Sequence, residues 1–223
     1  MTSTTGVCGE RSPQAVDEAV GAASAAAARP MISDDDRLRA NAYGLLGRLL
    51  REPPDAALLA HLSTHHVAER PGEDELATSL RLLGLAAAGT SPQAAGEEFH
   101  ALFIGLGRGE LVPYGSWYQT GFLMEQPLGV LRQDLAQLGF ARQSDVHEPE
   151  DHVAALCEVL SMCIEDGLAS ARQEAFFRRH LAPWAGRFWG DLQEAEAACF
   201  YCAVGRFGAA FHDLETQLFE LKL

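Results

Sequence analysis

Apolar residues recur at helical spacing along almost the whole chain beyond residue 30. After Ser33, three aspartates precede apolar residues at positions 38, 42, 45, 46, 49 and 50. Such a segment has an N-cap, acids at the positive end of a helix and one apolar stripe. The same period returns up to the C-terminus, and no run alternates as a strand pair would. The pattern predicts an all-α fold, a single helical globule of about ten helices.

The first 30 residues lack this pattern. They are mainly Ala, Ser, Thr and Gly, with almost no large apolar side chain. A segment of this kind buries too little apolar surface to compensate for the entropy lost on ordering. The sequence therefore predicts a disordered tail over residues 1–30 and one helical domain over residues 31–223.

Neither an export signal nor a membrane span is predicted. The N-terminal stretch has an acid at Glu10 and alanines where a secretory signal has a basic start and a Leu/Val-rich core. No apolar run approaches the ~20 residues that a bilayer requires. We expect a cytoplasmic protein without membrane insertion, whose five cysteines are reduced.

One long segment, residues 104–121, interrupts the helical pattern. It contains four glycines before Ser116 and three aromatic residues, Tyr114, Trp117 and Tyr118. It predicts a long loop, and long ordered loops in compact domains tend to carry function. Its glycines follow a helix and not a strand, so the mechanics of a dinucleotide or phosphate loop are missing.

Charge narrows the class of partner. The net charge is −14, and 16 of the 17 basic residues are Arg, so nucleic acid is not expected to bind. Between residues 143 and 171 the chain has seven acids and neither Lys nor Arg. This stretch favours a cationic ligand, and the alternative is a solvated acidic face.

The stretch HEPEDH, residues 147–152, looks at first like a metal site. Two histidines that bind one metal from a helix lie four residues apart, whereas His147 and His152 are five apart and diverge by about 140°. Pro149 favours the first turn of a helix, so we predict a helix start near Glu148 or Pro149 and no metal. An ionised Asp151 beside a neutral His152 would accept hydrogen bonds from a guanidinium. Ordinary capping of an acidic helix end is the alternative.

Signals for catalysis are absent from the sequence. Ser116, Asp151 and His152 could be imagined as a triad, but no nucleophile elbow surrounds the serine. Cys199 and Cys202 form a CxxC that lies inside a predicted helix without further ligands, which predicts structural cysteines. We therefore expect neither an enzyme nor a cofactor.

Three stretches together resemble the TorD/DmsD family of cytoplasmic chaperones for molybdoenzyme maturation. EFHALFIGLGRGELVPYGSWYQTG is similar to the family's LFxG and PYxSxY pattern through Leu102, Phe103, Gly105, Pro113, Tyr114, Ser116 and Tyr118. HEPEDHVAAL is similar to its helix start through Glu148, Pro149, Asp151 and His152. FFRRHLAPWAGRF is similar to its HLxPW segment through His180, Leu181, Pro183 and Trp184. Where the family usually has an acid after PY, this chain has Gly115.

The resemblance covers about residues 34–220 and implies an all-α chaperone. Such a chaperone binds the twin-arginine signal peptide of a molybdopterin oxidoreductase and holds the apo precursor in the cytoplasm until its cofactor is inserted. An acidic segment beside an aromatic loop suits two arginines followed by an apolar stretch. The expected signal-peptide-binding residues are Tyr114, Ser116, Trp117, Tyr118, Glu148, Asp151 and His152.

Two other functions stay open. Members of the resembled family have been linked to GTP, so a GTP-binding maturation regulator is one alternative. A NarJ-type assembly chaperone that binds the N-terminus of an enzyme that is not exported is the other. The segment 141–149 lacks apolar periodicity and is a candidate hinge, so we expect either a monomer or a domain-swapped dimer.

Overall fold

The computed structural model describes residues 10–11, 31–66, 72, 74–105, 108–141 and 148–221. These residues form ten α-helices, which confirms the all-α prediction. None of the described helices has both the length and the apolar character needed to cross a bilayer. The helices are α1 Asp34–Arg51, α2 Ala56–Ser63, α3 Glu75–Ala88, α4 Pro92–Phe99, α5 Gly115–Thr120, α6 Gln126–Gln137, α7 Val153–Glu165, α8 Ser170–His180, α9 Ala185–Glu194 and α10 Phe200–Glu220.

A single antiparallel strand pair accompanies the helices in the described part of the chain. Strand β1, Glu10–Arg11, pairs with strand β2, Phe140–Ala141. The rest of the predicted tail lies outside the described residues, so its disorder stays a prediction. Residues 142–147 of the candidate hinge also lie outside the described residues. The hinge and the domain-swapped dimer therefore stay predictions.

Helix α7 is the centre of the core. Ten of its 13 residues are buried, which is why its sequence is apolar all round and not along one stripe. Helix α1 packs along it, and Ser161 donates a hydrogen bond to the Ala40 carbonyl at 2.8 Å. Gly47 lets the two helices approach, because a Cβ there would lie 2.9 Å from Cγ of Glu158.

A buried ion pair ties α1 to α10. Arg39 donates to Oε1 of Glu215 from Nε at 2.6 Å and to Oε2 from Nη2 at 2.8 Å. Tyr43 donates to the same Oε2 at 2.9 Å, and Gln173 of α8 accepts from Arg39 at 3.0 Å. Three helices therefore meet at one network of buried polar groups.

Helices α9 and α10 approach through a glycine. A Cβ at Gly208 would lie 2.5 Å from Cε3 of the buried Trp189. We therefore expect Gly208→Ala to lower the free energy of unfolding by about 1–3 kcal/mol through overpacking. Gly129→Ala on α6 is the matched control, because nothing lies within 4 Å of its added Cβ, and it should gain up to about 1 kcal/mol. Urea denaturation measures both, and a Gly208→Ala chain as stable as wild type would contradict the packing argument.

Three predicted boundaries are wrong. The segment 104–121 is not all loop, because it contains α5, which ends where Gly121 adopts a φ of 81°. The HEPEDH helix starts at Val153 and not near Glu148 or Pro149. Helix α10 starts at Phe200, so the CxxC opens a helix and is not internal to one.

The position of the CxxC has a long-range cause. The Glu98 carboxylate of α4 accepts hydrogen bonds from the backbone N–H groups of Cys199, Phe200 and Tyr201 at 2.9, 3.1 and 3.2 Å. This cap sets the start of α10 at Phe200, with Cys199 as its N-cap. We expected these structural cysteines to pack in the core, but Cys199 is exposed and Cys202 is half-buried. Cys157 and Cys163, by contrast, are buried.

Candidate functional site

The PYGS and EPEDH stretches lie side by side, as the sequence suggested. The N–H of Gly115 donates to the Asp151 carbonyl at 2.9 Å, and that of Val153 donates to the Pro113 carbonyl at 2.9 Å. Between these bonds, Tyr114 and His152 form an antiparallel bridge. The start of α5 and the start of α7 are thereby held together as one site.

His152 is the N-cap of α7. Its Nδ1 accepts a hydrogen bond from the Ala154 N–H at 3.1 Å, and its ring lies edge-on to Tyr114 at 5.0 Å. Burial lowers the pKa of His152 to about 4, although the nearby Glu148 opposes the change. The imidazole is therefore neutral at pH 7, and burial is the main cause. Its role is to begin α7 and so to place Asp151.

Most acids of the stretch already have arginine partners. Arg51 donates to Glu148 at 2.9 Å and forms two bonds to Glu158 at 3.2 and 2.9 Å. Arg132 pairs with Glu150 at 2.9 Å. Burial first, and then the hydrogen bond to Glu148, raise the pKa of the Tyr114 phenol, which donates to Glu148 at 2.8 Å. Three of the seven acids between residues 143 and 171 are therefore paired with arginines within the fold, and two of the three belong to HEPEDH.

The other expected site residues on α5 make contacts within the fold. Ser116 is fully buried, and its Oγ accepts from the Met124 N–H at 3.2 Å. Trp117 lies under the Arg108 guanidinium at 5.1 Å. Tyr118 stacks on Trp184 at 5.5 Å and donates to Asp191 at 2.7 Å. These aromatic rings already have partners, so their apolar faces are less available than the sequence suggested.

Asp151 differs from its neighbours. Its Oδ2 accepts from the Ser116 N–H at 2.7 Å. Its Oδ1 is buried and has no hydrogen-bond partner among the described residues. A buried carboxylate oxygen with free lone pairs is costly unless a ligand or solvent satisfies it, so such an atom is a candidate binding point.

Asp151 lines a cleft of about 230 Å³, which we call the Asp151 cleft. The cleft lies between α5, α6 and the end of α8, and its walls are both polar and apolar. It is lined by Gly115, Gln119, Gln126, Pro127, Val130, Leu131, Asp151, Arg179 and His180.

The HLAPW segment contributes His180 to the wall of this cleft. Nε2 of His180 lies 2.7 Å from Oδ2 of Asp134, and the Trp184 indole donates to the His180 carbonyl at 2.6 Å. Gly115 packs against that indole, because a Cβ there would lie 3.0 Å from its Nε1. A side chain at this position, where the family usually has an acid, would press on Trp184.

The remaining motif residues support the backbone away from the cleft. Leu102 is fully buried, and the Phe103 ring contacts that of Phe99 at 5.1 Å. Gly105 has a φ of 59°, and a Cβ there would clash with the Arg108 carbonyl. Pro113 and Pro149 accept backbone hydrogen bonds at the start of α7, and Pro183 follows α8.

Sequence reasoning missed an exposed apolar turn next to the cleft. Phe122, Leu123 and Met124 are 68, 46 and 68% exposed, and we call them the apolar turn. Met124 has a φ of 61°, which a residue with a side chain rarely adopts. The signal in the sequence was a run of three large apolar residues directly after Gly121, outside any helical stripe.

The described residues contain no group of three or more His, Cys, Asp or Glu that could hold a metal ion.

Comparison with known families gives one match over more than half of the chain. The family model described as nitrate reductase delta subunit matches residues 68–189.

Curated relatives match over a similar region. The chain is 28% identical to the chaperone protein TorD of Vibrio atlanticus over 132 residues, 54% of this chain and 61% of the relative. It is 30% identical to TorD of Vibrio cholerae over 125 residues, 51% of this chain and 57% of the relative. It is 30% identical to the Tat proofreading chaperone DmsD of Haemophilus influenzae over 110 residues, 48% of this chain and 53% of the relative. The chain thus spans less than two thirds of each relative.

A solved structure shares the fold. It is a protein of Archaeoglobus fulgidus described as a redox enzyme maturation protein, with a TM-score of 0.52 and 19% sequence identity. The match covers 82% of this chain and 96% of that one.

Proposed function

Since the chain belongs to the nitrate reductase delta subunit family, together with the TorD and DmsD chaperones, we propose that it is a maturation chaperone for a molybdoenzyme. It binds the twin-arginine signal peptide of a molybdopterin oxidoreductase and retains the precursor in the cytoplasm until the cofactor is inserted. It acts by binding and not by catalysis. The observation that carries the proposal is the unpartnered Oδ1 of Asp151 in its cleft.

A guanidinium suits this oxygen. Arginine offers five N–H donors in a planar fork, and one donor to Oδ1 of Asp151 leaves others for the side-chain amide oxygens of the cleft. Gln119 and Gln126 line the cleft and supply such oxygens. Lysine offers a compact ammonium without that planar fork and should bind less well.

The apolar turn suits the part of the peptide that follows the arginines. It is separated by one residue from Gln126 and Pro127, which line the Asp151 cleft. Exposed apolar residues that cluster next to a cleft commonly mark a contact with a partner. We therefore assign the apolar stretch of the peptide to this turn and not to Trp117 and Tyr118, whose rings have partners within the fold.

Asp151→Asn tests the proposal. The variant keeps an acceptor for the Ser116 N–H but places a neutral amide in the cleft. A charge-assisted hydrogen bond contributes roughly 1.5–3 kcal/mol, so affinity for a twin-arginine signal peptide should fall about tenfold to a hundredfold. Calorimetric titration measures this. Lysines in place of the two arginines should also weaken binding of the peptide to the wild-type chain.

Asp191→Asn is the matched control, because it makes the same chemical change at an exposed residue that does not line the cleft. Its affinity should equal that of the wild-type chain. Equal affinities of wild type and Asp151→Asn, with unchanged circular dichroism, would contradict the proposal. Undiminished binding of a peptide without arginines would favour the NarJ-type alternative.

A further inference from the structure

A second cleft, which we call the Arg172 cleft, lies beside the first between α6 and α8. Its volume is about 210 Å³. Arg179 lines both clefts, so they adjoin at this side chain. The Arg172 cleft is lined by Asp134, Gln137, Leu138, Arg172, Ala175, Phe176 and Arg179.

The two arginines of this cleft have donors to spare. Arg172 donates from Nη2 to the Gln137 carbonyl at 3.3 Å, and no carboxylate pairs with it among the described residues. Arg179 donates from Nη1 to Oδ2 of Asp134 at 3.1 Å, and that oxygen also lies 2.7 Å from Nε2 of His180. Because a guanidinium has five N–H donors, most of those on both residues are uncommitted to protein carboxylates.

The arrangement favours a carboxylate as the ligand. Arg172 and Arg179 lie seven residues apart on α8, which places them on the same face two turns apart. Their backbone positions are therefore about 10 Å apart along the helix axis. The buried Phe176 and the half-buried Leu138 supply apolar wall between them. Asp134 offsets one of the two positive charges, so the cleft keeps a net positive charge in a chain of net charge −14.

We infer that the Arg172 cleft binds an acidic side chain of the same segment whose arginines occupy the Asp151 cleft. The inference rests on the proposed function and deepens it. Because Arg179 borders both clefts, one extended segment crosses from one to the other. An extended residue spans about 3.3 Å, so the acidic residue lies within a few residues of the arginine pair.

The test uses synthetic twin-arginine peptides and the full chain. Each peptide carries Glu or Gln at one flanking position, and every flanking position is examined in turn. At one position the Glu peptide should bind about threefold to tenfold more tightly than its Gln partner, as expected for a partly exposed charge pair. Arg172→Gln should remove this preference. Arg178→Gln should keep it, because Arg178 pairs with Glu174 and lines neither cleft.

Two results would overturn the inference. One is the absence of a Glu preference at every position, and the other is a preference that persists in Arg172→Gln. If Glu and Gln peptides bind equally while Asp151→Asn still weakens binding, the inference fails and the proposed function stands. If none of the peptides binds the wild-type chain, both fail.

Discussion

Replacing Glu215 by Gln should lower the free energy of unfolding by about 3–5 kcal/mol, because it removes the buried counter-charge of a buried guanidinium. Glu215 is fully buried, and its two carboxylate oxygens accept three hydrogen bonds from Arg39 and Tyr43. Burial, followed by the charge of Glu215, raises the pKa of Tyr43, so the phenol stays protonated and donates. Without the carboxylate charge, Arg39 keeps only Asp36 as an acidic partner, at 2.8 Å.

The matched control is an ion pair of the same type on the surface. Glu75 accepts from Arg206 through both oxygens, and the two side chains are 60 and 43% exposed. Glu75→Gln should cost less than about 1 kcal/mol, because exposed pairs are solvated and screened. Urea denaturation followed by circular dichroism compares the variants. A similar loss from both would show that burial of the Glu215 pair is not what matters.

The second large effect is a loss of stability in acid that originates at His152. The pKa of His152 is lowered to about 4 in the folded chain, first by burial, and lies near 6.5 in an unfolded one. The unfolded chain therefore takes up the proton first as pH falls. The stabilisation from the neutral ring is complete above pH 6.5 and is lost as the pH falls from 6.5 to 4. The loss reaches about 3 kcal/mol near pH 4.

His152→Asn separates this effect from other acid effects. Asn retains an N-cap acceptor for the Ala154 N–H but does not titrate. The difference in unfolding free energy between pH 7 and pH 4.5 should therefore shrink by about 2–3 kcal/mol in this variant. Burial also lowers the pKa of His180 and His212, so part of the acid loss should remain. The same substitution at exposed His61 controls for the loss of a histidine, and an unchanged pH dependence in His152→Asn would refute the assignment.

Local interactions explain why most of the helices could be predicted. Ser33, Asp55, Asp74 and Ser91 each cap their helix by accepting from an N–H three residues further on. A bond of this kind lies within one turn of chain, and the apolar stripe that follows repeats within the same segment. The start of α1 therefore falls where the sequence suggested, and α2, α3 and α4 each begin directly after a cap of the same kind.

Two helix starts depended on more distant or less common caps. Helix α10 begins where Glu98 of α4 reaches its first N–H groups from about a hundred residues away in sequence. Helix α7 begins with an imidazole cap from His152, which burial beside Tyr114 keeps neutral. Both starts were predicted several residues too early, for α7 because Pro149 suits a first helical turn and for α10 because helical spacing begins before residue 199.

The sequence by itself determined that PYGS, EPEDH and HLAPW belong to one chaperone family and that Asp151 is a candidate for arginine binding. Only the tertiary structure decided which acid is available to a ligand. Arg51 and Arg132, which are distant in sequence, neutralise Glu148 and Glu150, while Ser116 satisfies just one oxygen of Asp151. The physical reason is that the availability of a charge depends on which groups packing brings within hydrogen-bond distance, and neither residue type nor spacing along the chain specifies those groups.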